Sequence, residues 1–229
     1  MHGAYCEENM LKLVQGVVNF HQNVLPGLSE QFAQRALGQS PDALMIVCSD
    51  SRVAPNLFAS TNPGDLFVVR NPGNLIPLAH PDEENPHWES EAAAIEIAVD
   101  TLKVKDIIVC GHSRCAGMAA ILNEEEATPN LRQWTRHGRE AKRQLDEGKK
   151  FDNSLSLQDQ LSQLNVVVQL ENLKTYPQVK KRFEKGDIRL HGWWFDITSG
   201  NVYNFEPEEE KFVVIDEEEG ARIIQRLKS

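Results

Sequence analysis

The chain is short of basic residues. Its 229 residues hold 24 Lys and Arg against 34 Asp and Glu, a formal charge of −10. That sign repels phosphate backbones and anionic headgroups alike, so neither nucleic acid nor a membrane surface is an expected partner. Long apolar runs are missing as well. Stretches such as 66–69 and 107–110 fall far short of the ~20 residues that cross a bilayer. The first ten residues carry Glu7 and Glu8, without a basic start ahead of an apolar stretch, and His2 follows Met1. No secretory signal and no myristoylation site is expected there. The expected location is the cytoplasm, or an organelle if a transit peptide has been removed. Cysteine is scarce too: Cys6, Cys48, Cys110 and Cys115 show no disulfide-framework spacing. Repeats and linker-like segments are absent, so one domain over 1–229 is expected. The apolar fraction of 41% is high enough to exclude wholesale disorder.

The apolar residues are grouped into elements. From Met10 to Phe20 they recur at nearly helical spacing, and Pro26-Gly27 is expected to break that helix. A second amphipathic piece follows and stops at Gly38, giving a helical arm over about 1–38. Residues 43–48, 66–69 and 106–110 read as short buried strands, with helices over 89–102 and from Ala116. Strands without polar alternation, separated by helices, predict an α/β fold: a mostly parallel central sheet with helices on both faces. Residues 124–155 read as a polar helical stretch, followed by helices over 157–173 and 176–184. Alternation over 188–197, a turn at 198–201 and a returning strand over 202–205 add an antiparallel hairpin late in the chain. A last strand over 212–215 and a C-terminal helix complete a segment of about 188–229.

Two polar loops interrupt this pattern at strand ends. One is Cys48-Ser49-Asp50-Ser51-Arg52; the other is Gly111-His112-Ser113-Arg114-Cys115. Ligands of open parallel sheets bind outside the carboxyl ends of the strands, so both loops face one crevice. Two thiolates and an imidazole suit Zn²⁺, and three protein ligands leave its fourth position open, as in catalytic sites. Residue types alone leave this level with a plainer reading, in which the cysteines are small buried hydrophobes and the histidine is hydrogen-bonded core. Cys6 and Cys110 take the plainer reading, as do His21, His80, His87, His137 and His191, which stand outside any cluster in the sequence.

Cys-Ser-Asp-Ser-Arg followed some sixty residues later by Gly-His-Ser-x-Cys resembles the β-class carbonic anhydrases. The resemblance extends through 64–71 and 190–197 and covers roughly 11–215. It implies one Zn²⁺ per chain on Cys48, His112 and Cys115. It also implies reversible hydration of CO₂ to bicarbonate and a proton, through attack by zinc-bound hydroxide. Asp50 then orients the hydroxide and Arg52 holds Asp50. Gln39, nine residues before Cys48, matches a donor to substrate oxygen, and Phe67 matches an apolar pocket wall. N-terminal helices packing on a partner subunit, in a homodimer or tetramer, are implied too. Met45 stands where the bicarbonate-regulated branch has Trp, which places the chain closer to the plant-like branch; Arg70 then reads as structural. Pro72, Ala116 and Ile97 depart from the usual pattern and make the pocket more apolar, so hydrolysis of COS or CS₂ on the same site is the alternative. The loop over 78–88 is long enough to cover the entrance.

Overall fold

The computed structural model describes residues 3–79 and 90–228, with side chains from residue 9 onward. The expected entrance loop over 78–88 thus lies largely outside the described residues, as do His80, His87 and the side chain of Cys6. The chain divides into two compact units, Met1–Ser40 and Pro41–Ser229.

The first unit is helical. Helix α1 (Gly3–Asn19) runs through one π turn (Phe20–Val24) into α2 (Leu25–Arg35). Pro26 does not end the helix. It sits in the first turn of α2, where a missing N–H costs little, and the widened π turn before it takes up the change in bonding. Met10, Leu13, Val14, Val17 and Val18 are each at least 48% exposed, so the apolar stripe of α1 has no cover within the described residues.

The second unit is a six-stranded mixed sheet in the order β2-β1-β3-β4-β5-β6. The strands are β1 (Ala43–Cys48), β2 (Leu66–Asn71), β3 (Asp106–His112), β4 (Arg189–Phe195), β5 (Val202–Glu206) and β6 (Lys211–Val214). The first four are parallel, and β5 and β6 add antiparallel. Every residue of β1 is buried. Leu44 and Ile46 join one core cluster with Val166 and Leu170, while Ala43, Met45 and Val47 join another with Val53 and Cys110. A strand covered on both faces has no reason to alternate.

Helices α3 (Pro55–Phe58), α4 (Ser90–Glu96, continued by a π turn), α5 (Ala116–Leu122), α6 (Pro129–Thr135), α7 (Arg139–Asp146), α8 (Leu157–Leu173), α9 (Pro177–Glu184) and α10 (Glu217–Lys228) complete the unit. The stretch 124–155 is thus not one helix but short pieces, broken where Pro129 and Gly138 fall. Gly111 does not end β3; the strand continues to His112 because β4 pairs along its whole length. A Cβ at Gly111 would meet Val166 Cγ2 at 2.7 Å, so glycine is what lets α8 lie against the end of β3. His191 is not isolated either. Parallel pairing sets β4 beside Asp106, whose carboxylate takes His191 Nε2 at 2.8 Å and the Arg189 fork at 2.7 Å.

Candidate metal centre

The chain enters the sheet at β1, adds β2 on one side and β3 on the other. The order therefore reverses between β1 and β3, and their carboxyl ends open a crevice. Cys48 is the last residue of β1 and His112 the last of β3. Cys115 caps α5, one short turn later. Arg114, between them, adopts a left-handed conformation (φ 54°) that folds His112 and Cys115 towards one point. It is held there by its N–H donating to Asp159 Oδ1 at 2.6 Å, from the first turn of α8.

All three side chains are buried, and their ligand atoms lie within 4.8 Å of one another. The two sulfurs are 3.8 Å apart, far beyond a disulfide. Two sulfurs each ~2.3 Å from one tetrahedral centre would stand about 3.8 Å apart. His112 Nδ1 lies 2.9 Å from the Ser113 carbonyl. A carbonyl only accepts, so Nδ1 carries the proton and Nε2 presents a lone pair. Nε2 is buried and has no hydrogen-bond partner. An orphaned buried acceptor is costly, and a metal between it and the thiolates removes the cost. The residues fit zinc.

Electrostatics prepare the same donor set. The Cys48 thiol is held well below the ordinary cysteine range, chiefly because Cys115 S–H donates to it, with the Gly73 N–H (3.3 Å) adding to this against burial. Cys115, holding the shared proton in a buried place, is pushed up. Cys110, fully buried in β3, is pushed up to about 12 by desolvation and by the Cys48 charge, which makes it an inert thiol.

Asp50 and Arg52 lie in the loop after β1. Arg52 Nε donates to Asp50 Oδ1 at 2.9 Å and Nη2 to Oδ2 at 2.7 Å, and the Arg52 backbone N–H adds a third bond at 2.9 Å. This fork holds the carboxyl well below the usual carboxylate range, so Asp50 is ionised and committed to Arg52. A free carboxylate here would compete for the metal.

Phe67 does not join the cluster. Phe67 is half-buried on β2 opposite Leu44, while Asn71 stands opposite Cys48. Four residues along a strand are roughly 13 Å, so Phe67 lies away from the metal end of its own chain. Gln39 is exposed and belongs to the first unit. Other residues serve the centre without having been singled out. The Gly73 N–H meets the Cys48 thiolate, and Gly117 makes room for it, since a Cβ there would sit 2.9 Å from Gly73 Cα. Ser113, whose carbonyl fixes the His112 tautomer, is itself held by Asp196 Oδ1 at 2.8 Å. Gly73 and Gly117 are the sequence trace of this approach.

The chain is similar to known proteins. The family model described as carbonic anhydrase matches residues 43–202. A protein of Pseudomonas aeruginosa called carbonic anhydrase is 36% identical over 217 residues, covering 94% of this chain and 96% of its own. Among solved structures, the β-carbonic anhydrase CcaA superposes with a TM-score of 0.81 at 35% identity, covering 90% of this chain and 99% of its own. A tetrameric β-carbonic anhydrase of Sordaria macrospora gives 0.66 at 28% identity, covering 89% and 97%.

Proposed function

The chain belongs to the β class of the carbonic anhydrase family, and on that premise we propose that it hydrates CO₂ reversibly to bicarbonate and a proton. It is a zinc enzyme, with Cys48, His112 and Cys115 as the residues that would hold the ion. What carries the reading is the unpaired, buried His112 Nε2 facing two thiolate-forming sulfurs, beside a carboxylate already tied to an arginine. When bound, zinc supplies Lewis acidity, lowering the pKa of water towards ~7 and so making hydroxide available at neutral pH.

This chain's residues supply the rest. The two sulfurs offset the charge of the ion, and the Ser113 carbonyl keeps His112 in the tautomer that offers Nε2. Asp50 accepts a hydrogen bond from the attacking oxygen and aims its lone pair at the CO₂ carbon. It orients and does not abstract, because Arg52 holds its carboxyl too acidic to keep a proton. The product proton leaves to buffer.

Gln39 is assigned as donor to a substrate oxygen and Phe67 as an apolar wall. Phe67 stands roughly 13 Å along β2 from the metal end, so its role calls for a second copy of the chain. The exposed stripe on α1 supports a homodimer or tetramer, since an apolar surface of that kind rarely stays open to water. Met45, fully buried in the place of the regulatory Trp, supports the plant-like branch. No helix among the described residues is long and apolar enough to cross a membrane, and we assign the cytoplasm. The test is stopped-flow CO₂ hydration together with a zinc measurement. Zinc-loaded protein that does not accelerate hydration refutes the reading, and COS or CS₂ hydrolysis at equal enzyme separates the alternative.

A further inference from the structure

The loop that carries Asp50 has few partners of its own. Within 48–53 the one internal backbone bond is Val53 N–H to the Asp50 carbonyl at 3.1 Å. Three of its carbonyls are met from outside by a single side chain. Arg70, next to last in β2, donates to the Cys48 carbonyl from Nε (3.2 Å) and Nη2 (2.8 Å), to the Asp50 carbonyl at 2.8 Å and to the Val53 carbonyl at 2.8 Å. The guanidinium thus gathers the first, third and last residues of the loop onto β2. Arg52, by contrast, binds the Asp50 side chain and reaches back to the Arg114 carbonyl at 3.3 Å.

We propose that Arg70 is a positioning residue for the hydration reaction: its fork fixes where the Asp50–Arg52 pair stands over the metal centre. The local pair closes between residues two apart and holds whatever the loop does. The clamp from β2 ties the backbone that carries that pair to the sheet that carries Cys48. A misplacement of about 1 Å in an orienting group costs rate without abolishing binding. All three carbonyls are reached from Nη2, and Nε adds a second bond to the Cys48 carbonyl. Cys48 Sγ has an anchor of its own in the Gly73 N–H, so zinc loading need not depend on Arg70.

This inference rests on the proposed CO₂ hydration, and its test includes a readout independent of it. Arg70→Ala should lower kcat about 10–100-fold with KM little changed and zinc still near one per chain. Amide hydrogen exchange over 49–53 should quicken about tenfold while the strands keep their protection. In the Asp50→Asn background the same change should cost less than about threefold, because the group being positioned has already gone. Arg70→Lys keeps donors for these carbonyls and loses the Nε bond, so it should be impaired less than Arg70→Ala, and it replaces Arg70→Ala if that variant fails to fold. Unchanged exchange over 49–53, an equal loss in the D50N background, or a parallel loss of zinc would each overturn the proposal. A wild type without CO₂ hydration would refute the functional reading alone, since the exchange comparison still reports on the clamp.

Discussion

Gly117→Ala tests how closely the two metal-bearing loops must approach. Gly117 lies in the first turn of α5, where alanine is the better helix former by about 1 kcal/mol, so a sequence argument expects stabilisation. The structure predicts the reverse. The added Cβ would stand 2.9 Å from Gly73 Cα and 3.0 Å from its nitrogen, well inside the 3.5–4.0 Å of ordinary carbon contact. Both sides of the contact are backbone. The 72–73 segment has little room to retreat, with Trp134 Nε1 on the Pro72 carbonyl at 2.7 Å and Asn165 Nδ2 on the Gly73 carbonyl at 3.0 Å. If it stays, overpacking costs about 1–3 kcal/mol. If it moves, the Gly73 N–H draws away from Cys48 Sγ, and a hydrogen bond to a charged acceptor of about 1.5–3 kcal/mol is weakened. After the helix gain of about 1 kcal/mol the net loss is about 0–2 kcal/mol, a fall in Tm of up to about 8 °C for a chain of this length. Zinc should bind about tenfold more weakly in chelator competition. In metal-free protein the Cys48 thiol should move up towards its ordinary range, so that its alkylation, located by mass spectrometry, needs higher pH. A Tm equal to or above wild type with an unchanged alkylation profile would refute the steric reasoning.

The other expectations are more direct. Cys48→Ser or His112→Ala should each lose most of the zinc, because three ligands are the minimum and no other such cluster exists among the described residues; full zinc content in either variant, by elemental analysis, contradicts the ligand set. Asp50→Asn should keep zinc and lose activity about 100-fold or more. It should also flatten the acid side of the stability curve: Asp50 is depressed by Arg52, so its stabilisation is complete above the usual carboxylate range and fades as pH falls through it. Unfolding titrations that show the same acid limb in both proteins contradict this. Added bicarbonate should inhibit the wild type without cooperativity, since Met45 replaces the Trp of the regulatory pocket and Arg70 is committed to loop carbonyls. Steep sigmoidal inhibition would overturn that expectation. Light scattering at micromolar concentration should find a dimer or a multiple of one, and a monomer would leave the α1 stripe unexplained.

The sequence by itself determined the strands of the parallel sheet and the candidate metal ligands. Residues 43–48 are apolar without interruption, and so short a run, entered after Pro41 and stopped by polar residues, suits a strand covered on both faces, so β1 was legible from the local pattern. The cysteines and the histidine were legible because their chemistry stands out at strand ends, and because their spacing matches a known family. Helix boundaries were less so. Pro26 and the pieces of 124–155 depend on whether neighbouring turns can absorb a missing N–H, which local pattern does not encode. Tertiary structure decided what makes the ligands reactive. The 3.8 Å between sulfurs, the tautomer of His112 and the approach of Gly73 to Cys48 each join residues from separate strands and loops. The four bonds from Arg70 do the same, drawing a residue of β2 onto the loop after β1. Such contacts carry no periodicity and no motif. They exist because a parallel sheet sets the ends of β1, β2 and β3 side by side, and only the folded chain fixes which backbone atoms then meet.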